Sequence, residues 1–172
     1  TNTAAGLPLT LRVKIGDVGQ GCAALPGYAL YLWHCTTEGK YSLYTVPDEN
    51  YLRGVQVADA EGYVTFKTIF PGCYDGRWPH MHFEIYPSLD VATDHRNAVL
   101  TSQFAMPTEI CSEVYASVAG YEASVSNFER ISIASDNVFR DNSDEQITMM
   151  TPMLTGNTTD GYSADVTVAI AV

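Results

Sequence analysis

Leu9-Thr10-Leu11-Arg12-Val13-Lys14-Ile15 alternates apolar and polar side chains with a period of two. On an extended backbone, successive side chains point to opposite faces, so this stretch buries one face and wets the other. The same period returns in His80-Met81-His82-Phe83-Glu84-Ile85-Tyr86, where Met81, Phe83 and Ile85 point one way and His80, His82 and Glu84 the other. Ala29 to Cys35 is apolar on both faces, as in a strand inside a sandwich. Val55 to Val57 and Tyr63 to Ile69 flank Asp59-Ala60-Glu61-Gly62, which predicts a hairpin with a tight acidic turn. Further strands are expected at Leu100 to Ala105, Arg130 to Ala134 and Ala164 to Val172, and one helix at Thr108 to Ala119, with Pro107 at its start. Ser135 to Asp160 is polar and loop-rich. The expected fold class is all-β: an antiparallel β-sandwich with long loops and one short helix, residues 1–172 forming a single domain.

Composition narrows the function. The chain has 172 residues, 46% apolar and 17% charged, enough to bury a core. Its formal charge of -11 repels phosphate backbones and anionic lipid surfaces, so no nucleic acid and no membrane partner is expected. No apolar run reaches membrane-spanning length, and Thr1 to Gly6 does not resemble a secretion leader, so the chain is expected to be soluble and mature. The four cysteines, Cys22, Cys35, Cys73 and Cys111, lack CxxC spacing. An even count in an acidic, lysine-poor chain leans to an oxidising, extracellular setting. Four cysteines allow three connectivities, among which the sequence does not choose; if disulfides form, Cys22 with Cys35 and Cys73 with Cys111 are the pairs favoured, and four buried free thiols are the alternative.

Gly19-Gln20-Gly21-Cys22-Ala23-Ala24 fits a dinucleotide-binding pattern, but Pro26-Gly27 forbids the helix that would hold the pyrophosphate. The segment Phe70-Pro-Gly-Cys-Tyr-Asp-Gly-Arg-Trp-Pro-His-Met-His-Phe83 carries more chemistry. His80 and His82 can present two imidazoles to one point, which suits a metal, although two unrelated surface histidines would give the same string. Upstream, the candidate ligands are phenols: Tyr41, Tyr44, Tyr51, Tyr63 and Tyr74. A phenol ionises near pH ~10, so recruiting two requires a hard, highly charged ion and points to ferric iron rather than zinc. Fe(III) with two phenolates carries a single positive charge; one hydroxide neutralises it, and a dianionic catecholate can displace that hydroxide plus one phenolate. Arg77, three residues before His80, could stabilise negative charge on a bound ring, or form an ordinary surface ion pair.

Tyr31 to Ser42, Asn50 to Tyr74 and Arg77 to Phe83 together resemble the intradiol ring-cleavage dioxygenases, non-haem Fe(III) enzymes that include the catechol and protocatechuate dioxygenases. The resemblance runs through about residues 9 to 106 and rests on the ordered set of Tyr, Tyr, Arg and HxH. It implies that Tyr41, Tyr74, His80 and His82 are the iron ligands, with Tyr74 and His82 axial, and Tyr41 and His80 equatorial. Tyr74 would be the phenolate released by substrate and take up a substrate proton, and Arg77 would favour carbanion character on the ring. Leu100-Thr-Ser-Gln103 resembles the family's glutamine-bearing segment, which makes Gln103 a pocket residue or an interior amide. His34 is read as structural and His95 as solvated.

The implied activity is insertion of both atoms of O2 between the hydroxyl-bearing carbons of a catechol-type substrate, giving a cis,cis-muconate with no organic cofactor. Residues 1–172 are not expected to include the long helical N-terminal region of many catechol enzymes, and only five residues separate Tyr74 from His80. The short core and four cysteines look more like the family's secreted members, whose substrates would be plant- or lignin-derived catechols. Asp59 to Phe66 followed by Phe70 to Tyr74 also resembles prealbumin-like and carboxypeptidase-regulatory-like modules, which bind or brace without catalysis. Those modules have no reason to hold Tyr41, Tyr74 and HxH together.

Overall fold

A computed structural model of the chain describes residues 3–172. The period-two stretch becomes β1 (Pro8–Asp17), and Leu9, Leu11, Val13 and Ile15 are each at most 1% exposed. β1 is the spine of the first sheet. Along one edge it pairs antiparallel with β5 (Tyr63–Ile69) and with the short β2 (Ala23–Ala24). Along the other it pairs with β9 (Gly161–Ile170), which in turn pairs with β8 (Met153–Asn157). The second sheet runs β4 (Arg53–Val57), β3 (Ala29–Trp33), β6 (His80–Tyr86), β7 (Leu100–Ala105). Its inner face supplies Leu30, Leu32, Met81, Phe83, Ile85 and Phe104 to the core shared with β1.

The sandwich departs from the expected pattern in four places. β1 and β9 are parallel, so the first sheet is mixed rather than antiparallel. β4 and β5 do not form a hairpin; they belong to opposite sheets. The two ends of their connection are held apart: Ala58 N–H donates to Tyr28 O beside β3, while Gly62 O accepts from Ile15 N–H of β1. The acidic turn between them does form, with Asp59 Oδ1 accepting from Glu61 and Tyr63 N–H, but it carries the chain across the sandwich.

Among the described residues three helices form instead of one: α1 (Thr108–Ser117), α2 (Glu122–Phe128) and α3 (Asp144–Met150). α3 begins at a capping box in which Ser143 and Gln146 satisfy each other's backbone N–H. The strand expected at Arg130 to Ala134 is absent. Ser132 and Ser135 bond each other's backbone and close a single 3-10 turn, the local competition that hydroxyl side chains offer to extended structure.

All four cysteines are free, which overturns both expected disulfides. Cys22 bonds to Asp17 O at the end of β1, near where β5 begins, whereas the Cys35 thiol donates to Gly72 O beyond the end of β5. The full length of β5 separates them. Cys73 turns its thiol onto the carbonyls of Tyr74 and Arg77 in its own loop, and Cys111 is buried on α1. The glycine-rich decoy forms a 3-10 turn (Val18–Gln20) followed by β2, with no helix.

Candidate metal centre

β6 places Met81 and Phe83 in the core and therefore His80 and His82 on the outer face of the second sheet. Two loops bring phenols to that face. The loop after β3 carries Tyr41, and the loop after β5 carries Tyr74. They touch closely: a Cβ on Gly39, whose φ is +78, would lie 2.6 Å from Tyr74 Cβ, and one on Gly72 would lie 2.4 Å from Thr37 O. Only glycine permits either approach.

The result is a convergence on one nitrogen. His80 Nε2 lies 3.3 Å from Tyr41 Oη, 3.3 Å from Tyr74 Oη and 3.0 Å from His82 Nε2. The other ring nitrogen, Nδ1, donates to Trp78 O at 2.5 Å, so a neutral His80 presents a bare lone pair at Nε2. One lone pair thus faces two hydroxyls and an imidazole, so four potential ligand atoms converge on one point. A cation at the shared focus would accept all four donors. Two phenols with two imidazoles fit a hard trivalent ion such as Fe(III). Among the described residues, no group of three or more His, Cys, Asp or Glu side chains could hold a metal; tyrosines complete this one.

Burial sets the protonation states. It pushes His80 down to about 3, with His82 and Arg77 adding to the effect, and His82 down to about 4, helped by Arg77 and Arg53. Burial also raises both Tyr41 and Tyr74 above the ordinary phenol value. The imidazoles are therefore ready as neutral ligands, and the phenols need a cation before they ionise.

Arg77 stands beside this cluster, its side chain 15% exposed. Its Nε donates to Asp136 Oδ2 at 2.9 Å and its Nη2 to Gln103 Oε1 at 2.7 Å. Gln103 sits opposite His82 in the β6–β7 ladder, so both side chains share the outer face. The sequence-derived set of Tyr41, Tyr74, Arg77, His80, His82 and Gln103 is thus gathered into one constellation. His34 lies elsewhere in the structure's interior, bonded to Cys35 O and Thr68 Oγ1, and His95 is exposed.

Two participants were not foreseen. Asp136 is fully buried, and its carboxylate accepts from Arg77 Nε and from the N–H groups of Trp78, Val138 and Phe139. Burial alone would raise its pKa, but these bonds hold it below the usual value. Ser135-Asp136-Asn137 has the composition of any polar loop, and nothing in it marks a buried carboxylate. Trp33 stacks on His82 with ring centroids 4.7 Å apart and planes 5° from parallel. Strand parity would have found it had the β3–β6 pairing been known, because Trp33 and His82 are directly opposite. Cavities of about 520 Å³ between the β4 and β5 edges and about 850 Å³ between β7 and β9 lie away from the four donors.

A two-sheet sandwich with this Tyr/His/Arg set on its outer face defines a class: the chain belongs to the intradiol ring-cleavage dioxygenase family, whose model, described as "Dioxygenase", matches residues 2–99. Among solved structures it is similar to an intradiol ring-cleavage dioxygenase from Tetranychus urticae, at TM-score 0.80 and 22% identity over 98% of this chain and 82% of that one. It also resembles the dioxygenase domain of a carbohydrate-binding fusion from Streptomyces sp. SirexAA-E, at TM-score 0.62 and 21% identity over 99% and 85%. Against catechol 1,2-dioxygenase from Pseudomonas arvilla C-1 the TM-score is 0.61 at 18% identity, covering 99% of this chain and 54% of that enzyme. These identities speak for the fold. No curated protein matches the chain in sequence.

Proposed function

We propose that this chain is a non-haem Fe(III)-dependent dioxygenase that opens catechol-type rings between the two hydroxyl-bearing carbons, taking both atoms from O2 and releasing cis,cis-muconate-type products. The observation that supports it is the crowding of Tyr41, Tyr74 and His82 around the single lone pair of His80 Nε2. These four side chains would hold the ion. Bound there, ferric iron would supply the Lewis acidity that draws a catechol in through both oxygens as a dianion. Because the substrate itself supplies the electrons, no organic cofactor or reductant is required.

The remaining roles belong to the chain. His80 is oriented by its bond to Trp78 O, and His82 by the indole of Trp33. Tyr74 Oη is the acceptor for a proton leaving the substrate hydroxyl. Arg77, held by Asp136 and Gln103, presents a fixed positive charge where the ring becomes electron-rich. An extracellular setting is part of this proposal on the strength of the acidic, lysine-poor composition; with four free thiols it draws nothing from disulfides.

The test is colour, iron and oxygen. Purified protein should be burgundy and contain one iron per chain. It should consume O2 with at least one of catechol, protocatechuate, hydroxyquinol or an alkylated catechol. His82→Ala should bleach the band and stop the uptake. A colourless protein that stays inactive after iron loading refutes the assignment, and uptake that survives His82→Ala refutes the ligand set.

A further inference from the structure

One cation outside the ligand set reaches both halves of it. Each nitrogen of the Arg53 guanidinium donates a hydrogen bond: Nε to Ser42 Oγ at 2.9 Å, Nη2 to Ser42 O at 2.7 Å and Nη1 to Tyr31 Oη at 2.7 Å. Ser42 is the residue after Tyr41, and its hydroxyl donates onward to Tyr51 O at 2.6 Å. Arg53 therefore anchors the loop that presents the first phenol. In the other direction, Tyr31 stacks on Trp33 with centroids 5.2 Å apart, and Trp33 stacks on His82. The ladder explains the alignment, because Arg53 and His82 flank Trp33 as its direct partners on β4 and β6. The circuit closes at the metal centre, where the Tyr41 and His82 rings lie 5.9 Å apart.

The geometry points to Arg53, Tyr31 and Trp33 as a positioning brace that sets the phenol of Tyr41 and the imidazole of His82 relative to each other. None of the three touches the focus of the four donors. A guanidinium suits the task because its planar fork satisfies three fixed directions at once, which a single ammonium cannot do. An indole lying 5° from parallel restricts rotation of His82 about its terminal torsion, a broad and otherwise soft degree of freedom. Tyr41 sits in a loop and His82 on a strand, so without such a link their separation would follow the motion of the loop. Partners of this kind typically change metal affinity or activity 10–100-fold when removed.

The inference rests on the ferric reading, and its test separates the two. Wild-type protein and the variants Arg53→Lys, Trp33→Leu and Tyr31→Phe are loaded with iron alone. Iron release to a chelator, the phenolate-to-iron absorption band and the ferric electron paramagnetic resonance signal are then measured, with circular dichroism confirming each fold. Arg53→Lys and Trp33→Leu should each release iron about 10- to 100-fold faster, with a shifted band and a broadened resonance signal. Tyr31→Phe, which keeps every ring and deletes only the acceptor of Arg53 Nη1, should change the same signals in the same direction by a smaller factor.

Arg53→Lys with Trp33→Leu should be no worse than the worse single variant, because both interrupt one chain of contacts. Independent, additive effects overturn the brace, as does a burgundy wild type whose folded variants keep its release rate and spectra. A wild type that takes up no iron instead overturns the ferric reading on which the brace depends.

Discussion

Asp136→Asn tests the least visible part of the site. Oδ2 accepts from Arg77 Nε and Trp78 N–H, and Oδ1 from Val138 and Phe139 N–H. An amide offers only one acceptor oxygen. In either orientation its NH2 group faces two donors, and the charge assistance to Arg77 is lost. Two unmatched buried donors at about 1–2 kcal/mol each give an expected loss of about 3 kcal/mol at pH 7. The carboxylate ionises more readily folded than unfolded, where its pKa is 3.8. Its contribution is therefore fully present above that value and disappears as pH falls through the lower folded one. Urea unfolding of metal-free wild type and Asp136→Asn should show the gap at pH 7 and a narrower one at pH 3. Oxygen uptake by the iron-loaded variant should fall at least tenfold, about 1.4 kcal/mol in barrier, while iron is retained, since Asp136 touches none of the four donors. A gap below about 1 kcal/mol at pH 7, or one that persists unchanged at pH 3, refutes Asp136 as the anionic anchor of Arg77.

Other perturbations have equally definite outcomes. His34 is pushed down to about 4 by burial, so the unfolded chain takes up its proton from about 6.5 downward while the folded chain does not; stability should fall as pH drops from 6.5 towards 4, by on the order of 3 kcal/mol from this residue. Urea midpoints of metal-free protein across that range, with His34→Gln losing part of the slope, check it. Gly39→Ala forces a left-handed backbone on alanine and drives its Cβ to 2.6 Å from Tyr74 Cβ, so iron binding should drop at least tenfold by chelator competition, with unchanged binding as the contrary result. Thiol titration without reductant should find four reactive groups in denaturant and, in the native protein, only Cys22. Cys35 and Cys73 are 1% exposed, and burial pushes both up to about 12; two or no groups in denaturant would restore a disulfide.

Much of the sandwich was legible because its strands announce themselves locally. β1, β5, β6 and β7 follow directly from alternation and turn residues. What local pattern could not show was which sheet each strand joins. β4 and β5 look like a hairpin in sequence, and only the competing claims of Tyr28 and Ile15 on the ends of their connection reveal the crossing. α3 is a different kind of miss, since Ser143-Asp-Glu-Gln146 spells a capping box that was there to be read. α2 had no such signal: it has no side-chain cap and is held by tertiary bonds, with Ser124 receiving from Cys73 N–H and donating to Thr37 O.

The site divides along the same physical line. His80 and His82 are two apart on one strand, so the strand's own geometry brings them together whatever the rest of the chain does. Tyr41 and Tyr74 are 39 and 6 residues from His80, and their meeting depends on two loops that glycines allow to touch. Position just upstream of the histidine pair nominates five of the eleven tyrosines; the ordered motif is needed to choose two. Asp136 lies 59 residues beyond Arg77 and contributes through a buried carboxylate that no local pattern distinguishes from a solvated one. Reactive groups that must share a ligand leave a signature of type and spacing. The groups that hold them still are selected by fit to an assembled surface, and the same need can be met by different residues at different positions. That asymmetry is why Arg53, Trp33 and Asp136 emerge only when strand register and loop contacts are known, and why perturbing them tests the assembled site rather than the motif.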